Sequence, residues 1–256
     1  MKHNVVRLES IEIHNFKNVK YGSLNFENTR KPYSASILGL YGQNGSGKTA
    51  LIDALSLLKH LLMGQQIPSK FADCINVDAT QASFCFRFKV CCDAQGFMEC
   101  TVSYSCSIRK DADESAANME QTPKWKVTVF DELLSASFKS DTQKSRLSAL
   151  VNTQTDAVFL PASKFKVLVG GKKATETDLL VAKKLASATS RTFVFSRELV
   201  TAIRRQCKDP ALRSLFEALV AYGNFELFII DTTNSGLISI NALPLSFSYE
   251  EKGQVS

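Results

Sequence analysis

Gly42-Gln43-Asn44-Gly45-Ser46-Gly47-Lys48-Thr49 meets every fixed position of the phosphate-loop pattern G-x-x-x-x-G-K-[ST]. A loop can wrap a polyphosphate only if its backbone N–H groups point inward, which needs glycine where φ is positive or a Cβ would intrude. Gly42, Gly45 and Gly47 supply that freedom. A helix opening at Lys48 adds unpaired amides and the positive end of its dipole, while the Lys48 ammonium reaches the β and γ oxygens. Thr49 is placed to ligate Mg²⁺ through its hydroxyl, and Ala50 completes the expected nucleotide-binding set.

The flanks carry the fold. Before the loop, Ser36 to Tyr41 is an apolar run that predicts a buried strand feeding it. After it, Leu51, Leu55, Leu58 and Leu62 form one stripe, with Ile52 beside it, and Gly64 ends the helix. Strand, loop and helix together make an α/β phosphate-loop NTPase the expected fold class.

Upstream, Val6, Leu8, Ile11 and Ile13 alternate with polar residues, predicting a half-buried strand or two. The chain bends through Asn15-Phe16-Lys17 into a second strand near Gly22 to Phe26, and 28–34 is a polar turn. An Asn-Phe-basic bend about twenty-five residues before a Gly-Gln-Asn-Gly-Ser-Gly-Lys-Thr loop resembles the ABC-type ATPase heads of SMC and RecF-like proteins. More narrowly it resembles the bacterial AAA-labelled ATPases of that class, several of them linked to anti-phage defence. The resemblance implies ATP and Mg²⁺ as cofactors, a mixed sheet, an inserted antiparallel β lobe and a helical C-terminal part. It also implies that Lys17 reaches the α-phosphate, and that a second ATPase head or a C-terminal half completes the site.

Phe84, Phe86, Phe88 and Val90 alternate with Ser83, Cys85, Arg87 and Lys89, a period of two that predicts a strand with one wet face. A turn at 93–96 leads to Cys100, Val102, Tyr104, Cys106 and Ile108 on one side of a second strand, completing a hairpin. Residues 109–123 read as a mobile loop and Trp125 to Phe130 as a third strand. The expected organisation is a nucleotide-binding core over 1–68, an antiparallel lobe over 69–135, and an α/β segment over 136–256 leading into a further ATPase half.

In that last segment, 139–155 predicts a loosely held helix around Leu147 to Val151, followed by strand pieces at Val158–Leu160 and Phe165–Val169. Thr175 to Asp178 suggests a capping box for a helix to about Ser187. A short strand at Thr192–Phe195 precedes a helix capped by Ser196, and Asp209-Pro210 opens another in which Leu212, Leu215, Phe216 and Leu219 face inward. Strands are expected at 227–230, 237–240 and 245–247.

Hydrolysis needs more than a loop. Leu227-Phe228-Ile229-Ile230-Asp231 and Val127-Thr128-Val129-Phe130-Asp131-Glu132 both imitate an acidic strand end, and in both an Asp entering a turn is the simpler reading. Gln81 and Gln143 have no diagnostic spacing for a γ-phosphate sensor, and the three histidines, His3, His14 and His60, all come early. Three functions therefore stay open: an ABC-type head that switches a partner, a self-contained NTPase or kinase using Asp231, and a nucleotide-gated module that never hydrolyses.

Composition narrows the class. The chain has 256 residues, 45% hydrophobic and 22% charged, enough for a large core. A net charge of +6 suits phosphate-bearing partners without marking a dedicated nucleic-acid binder. Lys164, Lys166, Lys172, Lys173, Lys183 and Lys184 form the most basic region and read as a solvated face rather than a DNA-contact patch, so no clear motif supports nucleic acid as a partner. The seven cysteines, Cys74, Cys85, Cys91, Cys92, Cys100, Cys106 and Cys207, show no metal spacing and predict reduced thiols. No apolar run is long enough to span a bilayer, and a cytoplasmic location is expected.

Overall fold

The computed structural model describes residues 5–28, 38–92, 98–113, 125–139, 145–231 and 239–240. The expectations for the 93–96 turn, the 245–247 strand, most of the 28–34 turn, Gln143 and Ser36–Ile37 fall outside these residues. The strands are β1 (Val5–Phe16), β2 (Val19–Asn25), β3 (Gln81–Cys92), β4 (Met98–Ala112), β5 (Trp125–Lys139) and β6 (Ser148–Asn152). They form one six-stranded sheet in the order β2-β1-β3-β4-β5-β6, with every pairing antiparallel. The expected mixed sheet is thus corrected among the described residues. Residues 69–135 supply β3 to β5, which extend the same sheet as β1 and β2.

Register explains the core. Leu24, Ile11, Phe86, Tyr104, Leu134 and Val151 lie opposite one another across all six strands. All except the edge residue Leu24 are buried. One residue along, Ser23, Glu12, Cys85, Ser105, Leu133 and Asn152 lie on the other face, and none of these six is buried. On that wet face Lys89 of β3 sits among Glu9, Glu27 and Glu99, so cross-strand charge pairs replace packing.

The helices are α1 (Lys48–Leu62), α2 (Ala162–Val169), α3 (Lys173–Ala188), α4 (Arg197–Gln206) and α5 (Pro210–Ala221). In α1, Leu57, Leu58, Leu61 and Leu62 have no exposed surface, whereas Ile52 is exposed and does not join the stripe. Ser196 caps α4 by accepting the Leu199 N–H at 3.3 Å. Asp209 caps α5 by accepting from Ala211 and Leu212 at 2.9 and 3.3 Å, with Pro210 at the first position. The aromatic chain Tyr104, Phe195 and Phe216 ties the sheet to the segment before α4 and to α5, with ring centroids 5.1 and 6.5 Å apart.

Four local expectations are corrected. The expected helix around Leu147 to Val151 is instead strand β6, Ser148–Asn152, because the i, i+3, i+4 apolar spacing of Leu147, Leu150 and Val151 imitates a helix while the edge of β5 offers ladder hydrogen bonds. Phe165 to Val169 lies in helix α2, where Phe165, Leu168 and Val169 share a face, and Gly170 stops it at φ 73°. Helix α3 begins at Lys173 without a side-chain cap, so Thr175 is inside it rather than at a capping box. Thr192–Phe195 is buried but forms no strand, because Glu132 takes the place of a ladder partner, accepting the Phe193 N–H at 2.8 Å. Two extents also change: β4 continues into the predicted loop as far as Ala112, and β5 continues to Lys139.

Candidate functional site

The turn between β1 and β2 is two residues long, closed by the pair Phe16 and Val19. Asn15 and Lys17 both hold left-handed backbone, at φ 54° and 52°. Such conformations persist only when the surroundings enforce them. Here the 3-10 segment Ser69–Cys74 and the residues after it do so: the Lys17 N–H donates to Cys74 O at 2.5 Å, the Asn76 N–H to Asn15 O at 2.9 Å, and the Asn76 side-chain amide to Lys17 O at 2.7 Å. The tip is therefore fixed in space.

That tip touches both the phosphate loop and the helix that follows it. The Asn18 side-chain amide donates to Gly45 O, and the Lys17 ammonium pairs with Asp53 of α1. Inside the loop, Gly45 and Gly47 are left-handed at φ 87° and 91°, and a Cβ on Gly47 would come within 2.9 Å of Val19. The sequence argument for glycine at these two places is a steric one, and both constraints are met here. Gly47 is also the N-cap of α1, with no side chain capping it and no acid in the first turn. The amides and dipole at this helix end are thus left to whatever occupies the loop.

Lys48 is folded back on its own loop. Its ammonium donates to Gly42 O at 2.6 Å, Gln43 O at 2.8 Å and Ser46 Oγ at 3.2 Å. Three neutral oxygens thus hold this cation, and among the described residues no carboxylate pairs with it. Asn44 and Thr49 are exposed, and Ala50 is buried in the core. A cleft of about 640 Å³ runs from Gly45, Ser46, Gly47 and Lys48 along Val19, Tyr21 and Leu24 of β2 to Leu40 and Tyr41.

The run before the loop is corrected. Leu38–Tyr41 forms no strand, and Leu38, Leu40 and Tyr41 are 54%, 37% and 95% exposed. A strand needs ladder partners on at least one side, and no strand of the six-stranded sheet pairs with this segment.

The acidic stretches separate cleanly. Asp131 and Glu132 sit at an irregularity in the β4–β5 register, with Asp131 left-handed at φ 53°. Glu132 is buried and accepts from Tyr104 Oη at 2.8 Å, from Thr192 Oγ1 and from the Phe193 N–H. Burial pushes its carboxyl above the ordinary range, against the opposing effect of those hydrogen bonds, and pushes the Tyr104 hydroxyl well up. Glu132 also lines a second cleft, of about 260 Å³, with Asp131, Asp156, Lys183 and Arg191, which shares no residue with the first. Lys183 donates into the carbonyls of Thr155 and Ala157 at 2.6 and 2.8 Å, and burial lowers its pKa. Asp231 ends β7 (Ile230–Asp231), which pairs only with β8 (Ser239–Ile240) in a separate ribbon. Gln81 is exposed at the start of β3.

Two site residues escaped the sequence reading. Asn18 was hidden beside Lys17 in the same turn. Asp53 stood as a polar position within an apolar helix, four residues after Thr49, and that spacing was the signal that could have found it. Cys74, Cys85, Cys91, Cys100, Cys106 and Cys207 form no disulfide, and no acidic, histidine or cysteine cluster suited to a metal occurs among the described residues. No helix there is long and apolar enough to cross a membrane.

Comparison with known families and proteins gives one match and one absence. The family model described as AAA domain matches residues 10–192, which takes in β1, the phosphate loop and the sheet through to the segment before α4. No curated protein matches the chain.

Proposed function

We propose how the site works from one premise: the chain belongs to the AAA domain family, as an SMC/RecF-like ATPase head with a phosphate-loop NTPase fold. It binds ATP in the cleft above α1. The observation that carries this is the geometry of Lys48, a cation held by three neutral loop oxygens at the uncapped start of a helix. A triphosphate offers those donors charged oxygens, and exchanging neutral for charge-assisted hydrogen bonds favours the bound state. Gly42 to Thr49 wrap the β- and γ-phosphates, Ala50 continues the amide row, and Lys17 approaches the α-phosphate.

Thr49 fits Mg²⁺ by its chemistry. It is a hard hydroxyl oxygen, exposed in the first turn of α1, and would hold the ion there. When bound, Mg²⁺ would supply positive charge against the phosphates.

In this reading ATP assembles two heads, or this half with a C-terminal one, and hydrolysis by groups gathered in the assembly releases a partner effector. The exposed Leu38, Leu40 and Tyr41 suit cover by that second body. A role in bacterial anti-phage defence or DNA transactions follows from the resemblance alone. Asp131 and Glu132 line a cleft that shares no residue with the loop cleft, so that acidic pair does not support a metal-orienting role beside the loop.

The test is titration of fluorescent ATP into the chain with and without Mg²⁺. Lys48→Ala should weaken binding about a hundredfold, and Thr49→Ala should remove the Mg²⁺ dependence while Thr49→Ser keeps it. Wild-type affinity in Lys48→Ala would sink the site.

A further inference from the structure

We propose that Asp53 is a positioning residue of the nucleotide site: its carboxylate aims the Lys17 ammonium at phosphates held by the loop. This rests on the reading that the loop binds ATP.

Helical geometry places Asp53 one turn beyond Thr49 on the same side of α1, about 6 Å along the axis. Lys17 reaches it from a different element, the β1–β2 tip, and forms an ion pair with it. The backbone of Lys17 is already fixed, by Cys74 O on its N–H and by the Asn76 amide on its carbonyl. What remains free is a chain of four side-chain torsions, the feature that makes a lysine an imprecise ligand. Asp53 removes that freedom, and the pair is 30% and 24% exposed, so it is neither sealed off nor fully screened.

A second observation points the same way. Asn18, the next residue in the turn, is hydrogen-bonded to Gly45 O of the loop itself. One rigid tip therefore registers on the loop through Asn18 and on the helix through Lys17. An ammonium has three donors, so Lys17 can keep Asp53 and still donate to a phosphate. The charge pattern needs this arrangement: a carboxylate one turn from a triphosphate repels it, unless it is paired and the net charge presented is zero or positive.

A plain structural ion pair would hold the tip on α1 and nothing more, and ATP affinity separates the two roles. Asp53→Asn and Lys17→Ala should each weaken ATP about five- to tenfold, with the double variant no weaker than Lys17→Ala, and Asp53→Glu should recover most of the loss. The exchanged pair Lys17→Asp with Asp53→Lys should keep the melting temperature near wild type yet lose at least as much affinity as Lys17→Ala. Unchanged affinity in Asp53→Asn, or full affinity in the exchanged pair, overturns the proposal. So does a rise in affinity in Asp53→Asn, since Asp53 would then be competing with the phosphates for Lys17. Lys48→Ala keeps the two readings apart: if it binds ATP normally the nucleotide site itself is wrong, whereas loss in Lys48→Ala with a silent Asp53→Asn removes only the role of Asp53.

Discussion

Lys48 and Glu132 are both charged groups held by several hydrogen bonds, yet they sit in opposite circumstances. Lys48 lies in a cleft, and its partners are neutral oxygens of its own loop, which a ligand can replace. Glu132 is buried, and its partners are Tyr104, Thr192 and Phe193, which come from β4 and from the segment leading to α4. No ligand can replace those without opening the core. A charge with exchangeable partners is arranged for binding, and a charge with irreplaceable ones is scaffold.

Removing Glu132 is the strongest test of that distinction. Glu132→Ala strips the acceptor from a buried hydroxyl pair and a buried backbone N–H, and should destabilise the fold by about 3–5 kcal/mol. Denaturant unfolding measures it. Full ATP affinity in whatever fraction remains folded would sharpen the comparison, and a stable protein that has lost ATP binding would break it.

Lys48→Ala is the mirror case. Its hundredfold loss of ATP corresponds to about 2.7 kcal/mol, while stability should move by less than about 0.5 kcal/mol, because the ammonium anchors nothing but its own loop. A large drop in unfolding midpoint would place Lys48 with Glu132 among the scaffold charges.

The pH dependence of Glu132→Gln gives a smaller, signed effect. Burial raises the carboxyl of Glu132, so the native chain holds that proton more tightly than the unfolded one. Its contribution to stability is complete below the ordinary glutamate range and is withdrawn as pH rises through the raised value. In Glu132→Gln that dependence disappears, and one amide N–H₂ is set against a buried donor at a loss of about 1–3 kcal/mol. The gap between wild type and variant should therefore be widest in acid and narrow toward neutrality. A gap that widens with pH reverses the sign and with it the claim that burial dominates at Glu132.

What the sequence revealed follows from how local each signal is. The phosphate loop is decided by residues within eight positions of one another, and the β3–β4 hairpin by a two-residue period, so both could be read directly. Asp209 and Ser196 announced their helices because a cap acts on the next turn. Segments settled by distant partners could not be read this way. Leu147–Val151 carries a helical spacing and becomes a strand because β5 lies alongside, and Thr192–Phe195 loses its ladder to a carboxylate sixty residues earlier. The pairing of Lys17 with Asp53 is of the same kind, since no window along the chain contains both. Leu38–Tyr41 shows the converse, an apolar run whose local pattern is right for a strand but which has no partner in the sheet.

Asp131 offers the finest test because it adjoins Glu132 and lines the same cleft, yet is exposed where Glu132 is buried. It is left-handed at φ 53°, and that cleft shares no residue with the one at the phosphate loop. If Asp131 is there to satisfy a bulge, asparagine should serve as well, since both tolerate the left-handed region and neither must be charged to do so. Asp131→Asn should leave stability and Mg²⁺-dependent ATP affinity within about 0.5 kcal/mol of wild type, with Asp131→Leu less stable by about 1 kcal/mol from backbone strain. If Asp131→Asn instead loses Mg²⁺-dependent ATP affinity tenfold with its melting temperature intact, the acidic pair orients a metal after all. Partner exchangeability would then be the wrong criterion, because the charge next to the most deeply anchored carboxylate in the sheet would belong to the nucleotide site.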